Sequence, residues 1–273
     1  MTIREPAVAG FFYPASKRDI ESQIASFDTG GAAPVAAYGA VVPHAGYRYS
    51  GLVAAKVYSR IKPRGSIILM GPNHGAGRNY EPPPPVAIMA EGEWVLPGGK
   101  LPIDAELAQA LLDETDLLTD APWAHELEHS LEVQLPFIMH YSGKVSFAPI
   151  IISHLSAEEV VSVSEGIYRG LEKYGKPVTL VASTDFSHYI PHEKAREQDH
   201  KAIERILAMD GFGLLKVVAE ERISMCGCQP TAVVIEVCKK LGAKKAELVD
   251  YRTSGDSSGD YSSVVGYGGL IIT

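Results

Sequence analysis

The stretch VTLVASTDFSHY, Val178 to Tyr189, decides how this chain is read: an apolar run enters Ser-Thr-Asp-Phe-Ser-His, a polar turn that carries a histidine. A buried strand that stops at a polar loop delivers its last side chains to the carboxyl edge of a sheet, where open α/β folds build their sites. Two further stretches repeat the pattern, VVPHAGY from Val41 to Tyr47 and IILMGPNHG from Ile67 to Gly75. Three such edges place His44, His74, Asp185 and His188 in one expected pocket, assembled from segments far apart in the chain. A fourth segment, Ser224 to Cys228, reads Ser-Met-Cys-Gly-Cys and adds thiols.

Working outward, apolar spacing predicts helices over 16–27, 51–61, 104–112, 128–141, 157–174, 193–209, 211–220 and 231–241. Ser16 and Asp104 are the expected N-caps, and Pro136 either kinks its helix or starts a second segment. Strands are expected over 37–42, 66–70, 145–152, 246–252 and 263–272. The Pro- and Gly-rich stretch Glu81 to Gly99 reads as a loop or hairpin excursion, with short β pieces at 86–90 and 93–96. Strand and helix patterns alternate with no composition break and no repeat. The expectation is a single α/β domain over 1–273, with a mostly parallel or mixed central sheet and helices on both faces.

The composition, 46% hydrophobic and 21% charged, is that of a globular protein. A formal net charge of −8 and a pI near 5.6 argue against nucleic acid as the main partner. No apolar run reaches the ~18 residues of a membrane span. The opening Met-Thr-Ile-Arg-Glu-Pro has no signal-peptide core, which makes the cytoplasm the expected location. Three cysteines, at 226, 228 and 238, give no disulfide framework.

Imidazoles converging from two strand exits suit a first-row metal, and His44 and His74 share that setting, each with a proline before it and a glycine after. A facial triad needs one anionic ligand besides two histidines, and Cys226, Asp185 and Glu128 all qualify. His188, close to Asp185, is expected as an acid/base group, with Asp185 orienting its imidazole. Cys226 and Cys228 precede a helix whose N-terminus is expected to stabilise thiolates, whereas Cys238 reads as a buried small hydrophobe. His125-Glu-Leu-Glu-His129 matches the zinc-protease pattern H-E-x-x-H on paper. It stands between Pro122-Trp123 and a helix expected to begin near Glu128, so its histidines are not expected to share a face. Glu128 and His129 are expected instead in the pocket wall. The hydroxyl-rich stretch Thr253 to Ser263 reads as a loop at the site's edge, with Asp256 and Asp260 capping turns.

Taken in order, Arg4 to Pro14 (REPAVAGFFYP), Val42 to Tyr47 (VPHAGY), Gly71 to His74 (GPNH), Glu128 to Glu132 (EHSLE), Ser183 to His188 (STDFSH), Met225 to Gly227 (MCG) and Gly255 to Ser263 (GDSSGDYSS) resemble the motif set of the Memo family. The resemblance runs through essentially the whole chain. It implies a fold like that of the class III extradiol ring-cleaving dioxygenases, which use non-haem Fe(II). It also implies a metal site of two histidines and a cysteine, carried by motif onto His44, His74 and Cys226. His188 then corresponds to the dioxygenase acid/base, Asp185 accompanies it, and Tyr47, Asn73, Glu128, His129 and Cys228 complete the expected pocket. Fe(II) is the implied cofactor, with copper or zinc as competitors because a thiolate softens the site. An unknown small molecule is the expected partner, with a functional link to a radical-SAM protein and no nucleic acid or membrane. Two functions compete: a metal-dependent redox or oxygenase-type enzyme, and a non-catalytic metal- or peptide-binding adaptor. One departure stands out. Where some relatives carry a histidine soon after the cysteine, this chain reads Cys226-Gly-Cys228-Gln-Pro.

Overall fold

Four apolar segments, Gly39–Val42, Ser66–Pro72, Phe147–Ile152 and Val178–Ser183, are almost wholly buried and pair in parallel. The computed structural model describes residues 2–75 and 83–273. Gly77 and the start of the excursion expected from Glu81 lie outside the described residues. Across the sheet the four run in the order Gly39–Val42, Val178–Ser183, Ser66–Pro72, Phe147–Ile152. The last of these strands to be reached by the chain is thus inserted between the first two. Three carboxyl ends, those preceding His44, His74 and Asp185, become immediate neighbours by this insertion.

Flanking strands make it a nine-stranded mixed sheet. Val86–Ile88 pairs antiparallel with Phe147–Ile152 and parallel with Leu118–Asp120. On the other side Val264–Ile272 lies antiparallel to Gly39–Val42 and also pairs with Ala246–Thr253 and His188–Ile190. A smaller three-stranded sheet joins Ile3–Arg4, Glu93–Leu96 and Gly99–Pro102.

Alternation along each strand feeds two cores, as expected where both faces of a parallel sheet are covered. Ile68, Met70, Leu180 and Ala182 face a layer containing helices Ala105–Glu114, Ala157–Tyr174, His192–Leu207, Gly211–Glu220 and Cys228–Lys240. Ile67, Leu69 and Val181 face helices Lys17–Ser26, Tyr47–Arg60 and Leu135–Ser142. Ser16 and Asp104 cap their helices, accepting from Asp19 N and Leu107 N.

Two expectations fail here. The helix expected from Gly51 begins at Tyr47, so Tyr47 packs inward on Phe137 with ring centroids 4.5 Å apart. The helix expected over 128–141 starts as a 3-10 turn at Glu132–Gln134 and becomes α-helical at Leu135. Proline is tolerated in the first turn of a helix, where its missing N–H has no partner to lose. Pro136 therefore starts a segment rather than kinking one, and Glu128 and His129 are left on irregular backbone.

Candidate metal centre

His44 follows Gly39–Val42 after a single residue, Pro43, and is 2% exposed. Its main-chain N–H donates to Asp185 Oδ1 at 2.8 Å, tying the first strand exit to the third. Its Nδ1 lies 3.0 Å from Ser183 Oγ. That hydroxyl already donates its proton to Ser130 O at 2.6 Å and accepts from Gln134 Nε2 at 2.8 Å. Towards His44 it can only accept, so the imidazole carries its proton on Nδ1 and leaves Nε2 as a bare lone pair. Burial, with the neighbouring imidazoles His129 and His74 adding to it, holds the His44 pKa well below the usual histidine value.

His74 is fixed by a different partner with the same result. Glu128 takes the His74 main-chain N–H on Oε2 at 2.6 Å and stands 2.9 Å from Nδ1 through Oε1. Burial opposes protonation of this ring, but the Glu128 carboxylate outweighs it and raises the His74 pKa. Burial likewise works against the charged Glu128, yet its hydrogen bonds to His74 bring its pKa down to about 2. An ionised carboxylate on Nδ1 turns Nε2 outward as the ligand atom, the arrangement by which outer carboxylates orient metal-binding histidines.

His129 is the third imidazole. Its Nδ1 lies 3.4 Å from Glu128 Oε1, and its ring packs on Phe12 with centroids 4.7 Å apart. Ligand atoms of His44, His74 and His129 all lie within 4.8 Å of one another. Gly71 lets this loop come so close: a Cβ there would stand 2.8 Å from both Leu131 and Ser130 side chains. The loop is also anchored from the chain's start. Arg4 pairs with Glu132 and donates to His125 O at 3.1 Å and Glu128 O at 2.8 Å. Glu132 further accepts from Ala7 N, Val8 N and Tyr13 OH.

Cys226 reaches the cluster from the His44 side, its Sγ 3.3 Å from His44 Nε2. Asp185 N donates to the sulfur at 3.3 Å. Gly227 permits the approach, since a Cβ would stand 2.5 Å from Thr184 Cβ and 2.6 Å from Ser183 O. The expectation that the following helix would stabilise a thiolate is not met. Burial, followed by the Asp185 carboxylate, pushes the Cys226 thiol up to about 12. Without a bound cation this group is a thiol, and a metal ligand there must lose its proton on binding.

His188 stands in the same cavity, but Asp185 does not orient it. Ser224 does: His188 N donates to Ser224 Oγ at 2.7 Å, and Nδ1 lies 2.8 Å from Ser224 O. A carbonyl only accepts, so Nδ1 carries a proton towards Ser224. Asp185 is occupied by His44, and burial lifts its pKa to about 6 against the lowering effect of that hydrogen bond.

The cluster opens on a cavity of about 670 Å³ whose wall includes His44, His74, His129, Asp185 and His188. Ser254, Ser258, Asp260 and Ser263 place the hydroxyl-rich loop at its edge. Asp256 accepts from Thr253 N, and Asp260 accepts from Ser262 N. Three expected pocket residues lie elsewhere. Tyr47 sits in the core with its hydroxyl on Val133 O, Asn73 shapes its own loop through Gly75 N and Ser153 Oγ, and Cys228 opens the helix Cys228–Lys240 against the core. His125 is fully buried, edge-on to Trp94, and is not in the histidine group, so the H-E-x-x-H match does not assemble a zinc-protease site among the described residues. Ser183, Ser130, Gln134, Ser224 and Phe12 were not singled out in the sequence. Ser183 and Ser224 lie in motifs that were quoted, but no pattern marks a serine as the group that sets a histidine's tautomer.

The fold and cluster define an α/β protein with an imidazole-lined site at the carboxyl edge of its sheet. The chain matches the Memo-like protein family over residues 4–271 and belongs to that family. It is 39% identical to a MEMO1 family protein of Methanopyrus kandleri over 98% of both chains. It is 41% identical to one of Desulfurococcus amylolyticus over 99% of both, and 39% identical to one of Methanosarcina barkeri over 99% of this chain and 100% of the other. No helix among the described residues is long and apolar enough to cross a membrane.

Glu128 offers a first test. Glu128→Gln keeps the shape but removes the charge that orients His74 and His129, so affinity for Zn(II) in a chelator competition should fall roughly 10- to 100-fold. Unchanged affinity would remove Glu128 from this role.

Proposed function

We propose that this protein binds one first-row metal ion through His44, His74 and His129, with Cys226 at the His44 side, and acts as a metal-dependent redox or oxygenase-type enzyme on a small substrate. The observation that carries the proposal is the shared orientation of two imidazoles in the histidine group: His44 and His74 each have Nδ1 held by an oxygen, which leaves Nε2 as the nitrogen able to ligate. Such pre-set tautomers suit a cation, and the Cys226 thiol that meets His44 Nε2 would become a further donor on losing its proton. Fe(II) is the ion proposed, in keeping with the resemblance to class III extradiol dioxygenases. Imidazole and thiol donors also accept copper and zinc.

When bound, a redox-active ion supplies electron transfer and open positions for substrate and an oxidant. The chain supplies the rest. His188, held by Ser224 and lining the cavity, takes a proton from a substrate hydroxyl through Nε2 and returns it later. Ser224 holds that ring in place through both its hydroxyl and its carbonyl.

Anaerobic purification with Fe(II), followed by metal analysis and exposure to dioxygen, tests the reading. About one ion per chain and an oxygen-dependent change in its spectrum are expected. Failure to retain iron, copper or zinc would overturn the metal site. A tightly held ion inert to oxygen and to added reductant would favour the non-catalytic binding protein instead.

A further inference from the structure

The histidines follow the carboxyl ends of the parallel strands. At the opposite edge, the amino ends of Ser66–Pro72 and Phe147–Ile152 border a second cavity, of about 660 Å³. The length of Ser66–Pro72 puts it roughly 20 Å from the histidine group. Its wall takes Lys62 and Arg64 from the approach to the first of these strands and Lys144 from the approach to the second. Among the described residues no Asp or Glu lines it, although the whole chain carries a formal charge of −8. Nor does any of the three cations form an ion pair among the described residues, Arg64 lying over the Tyr38 ring at 3.9 Å. A wall of one sign in a protein of the other gathers anions.

Hydroxyls on this wall divide into two groups. Ser59 donates to Lys56 O, and Ser66 and Ser146 donate to Asp104 Oδ2, so these three are spent. Asp104 also accepts from Tyr174 OH and Leu107 N, which spreads its charge over four donors. Tyr58 and Ser142 differ. Both line the cavity, and both hydroxyl oxygens are buried without a hydrogen-bond partner. Tyr58 is 0% exposed, with its ring stacked on Phe137. Burial holds its phenol well above the usual pKa, so it stays protonated and able to donate. Buried polar groups are normally paired, and a ligand with several acceptor oxygens supplies the partner that these two lack.

We propose that this second cavity binds a small phosphate-bearing molecule, with Lys62, Arg64 and Lys144 neutralising its charge and Tyr58 and Ser142 donating to its oxygens. A phosphate group carries up to about two negative charges at neutral pH and three strong acceptor oxygens, which suits several cations together with neutral donors. A guanidinium fork adds a geometry that fits phosphate oxygens in pairs. The space falls within the roughly 300–1,000 Å³ of small-molecule sites, so there is room for the body that carries the phosphate. Pro34, Tyr141 and Val145 offer that body an apolar wall. The site lies at the far edge of the sheet from the histidines and shares no residue with their cavity.

Phosphorus NMR titration of glycerol phosphate and of inorganic phosphate against native protein and variants is the test. Native protein should bind glycerol phosphate more tightly than the free ion; the reverse order would overturn the organic ligand. Lys62→Gln combined with Lys144→Gln should weaken binding about tenfold or more. Tyr58→Phe should weaken it about five- to tenfold without lowering the melting temperature, because the hydroxyl it removes has no protein partner. Ser142→Ala provides a second reading of the same kind. His44→Ala should bind phosphate as native protein does, and loss of binding there would place the anion at the histidines and overturn the site. No phosphate binding by native protein would do the same. So would a loss confined to the lysine variant, with Tyr58→Phe and Ser142→Ala binding like native protein, since that describes attraction to surface charge alone.

Discussion

Alanine at His44 is expected to abolish metal binding, whereas alanine at His188 should leave metal content unchanged and, if the protein is the enzyme proposed above, abolish turnover. His44 turns Nε2 towards Cys226 and the cluster, with Nδ1 spent on Ser183 and the residue only 2% exposed. Removing it deletes one of the grouped ligands and also the neighbour of Cys226 Sγ. Changes to groups that merely orient ligands weaken metal affinity about 10- to 100-fold, so loss of a ligand itself should exceed that range. His188 is anchored on Ser224 and stands outside the group of three. Metal titration of both variants side by side, with circular dichroism to confirm folding, is the measurement. Equal metal loss in the two would place His188 among the ligands. Full activity in His188→Ala would remove its proton-transfer role.

The second large effect concerns stability. Glu132→Ala should cost about 3–5 kcal/mol, because it leaves Arg4 as an uncompensated charge in a dry site. Both side chains of the pair are nearly inaccessible, at 2% and 0% exposed. The two partners are not equivalent. Without Glu132, Arg4 retains no anionic partner, only the carbonyls of His125 and Glu128 and the face of Trp94. Without Arg4, Glu132 retains two main-chain N–H groups and the Tyr13 hydroxyl. Glu132→Ala should therefore unfold at lower temperature and lower urea concentration than Arg4→Met. Both should weaken metal binding, since this pair holds the loop that carries Glu128 and His129. Reversed order, or a melting temperature within a degree or two of native for Glu132→Ala, would contradict the argument.

Much of this arrangement was legible before any coordinates because it is written in short-range chemistry. Ser16 and Asp104 announce helix starts through side chains that cap only a few residues ahead. Apolar runs ending at Pro43-His44 and at Pro72-Asn73-His74 announce strand exits, and the sheet places those exits on either side of the one that leads to Asp185. His129 was less visible in its true place. A helical period continued back from Ile138 suggested that Glu128 opened a helix. The Glu128 carboxylate is instead engaged by Ser130 N and by the main chain and ring of His74, which hold the backbone in an irregular turn. Those partners lie 54 residues away in the case of His74, and no local pattern encodes them. Ser224 escaped notice for the same reason, meeting His188 across 36 residues. The elevated thiol of Cys226 also depends on how deeply the fold encloses it, which a Cys-Gly-Cys motif cannot convey.

The insertion of Val178–Ser183 between Gly39–Val42 and Ser66–Pro72 has a consequence for the order in which the molecule is made. His44 meets Asp185 across 141 residues and Cys226 across 182. The strand bearing His44 also remains unpaired along one side until Val264–Ile272 is synthesised to lie against it. Closing such long loops is slow, and contacts of this span form late. On a ribosome His44 is therefore among the earliest residues made and among the latest to reach its partners. An ion captured at this centre can lock a finished fold, but it cannot seed one. Protein made in metal-depleted cells should accordingly fold first and take up a metal at the His44, His74 and His129 cluster only once Val264–Ile272 has paired.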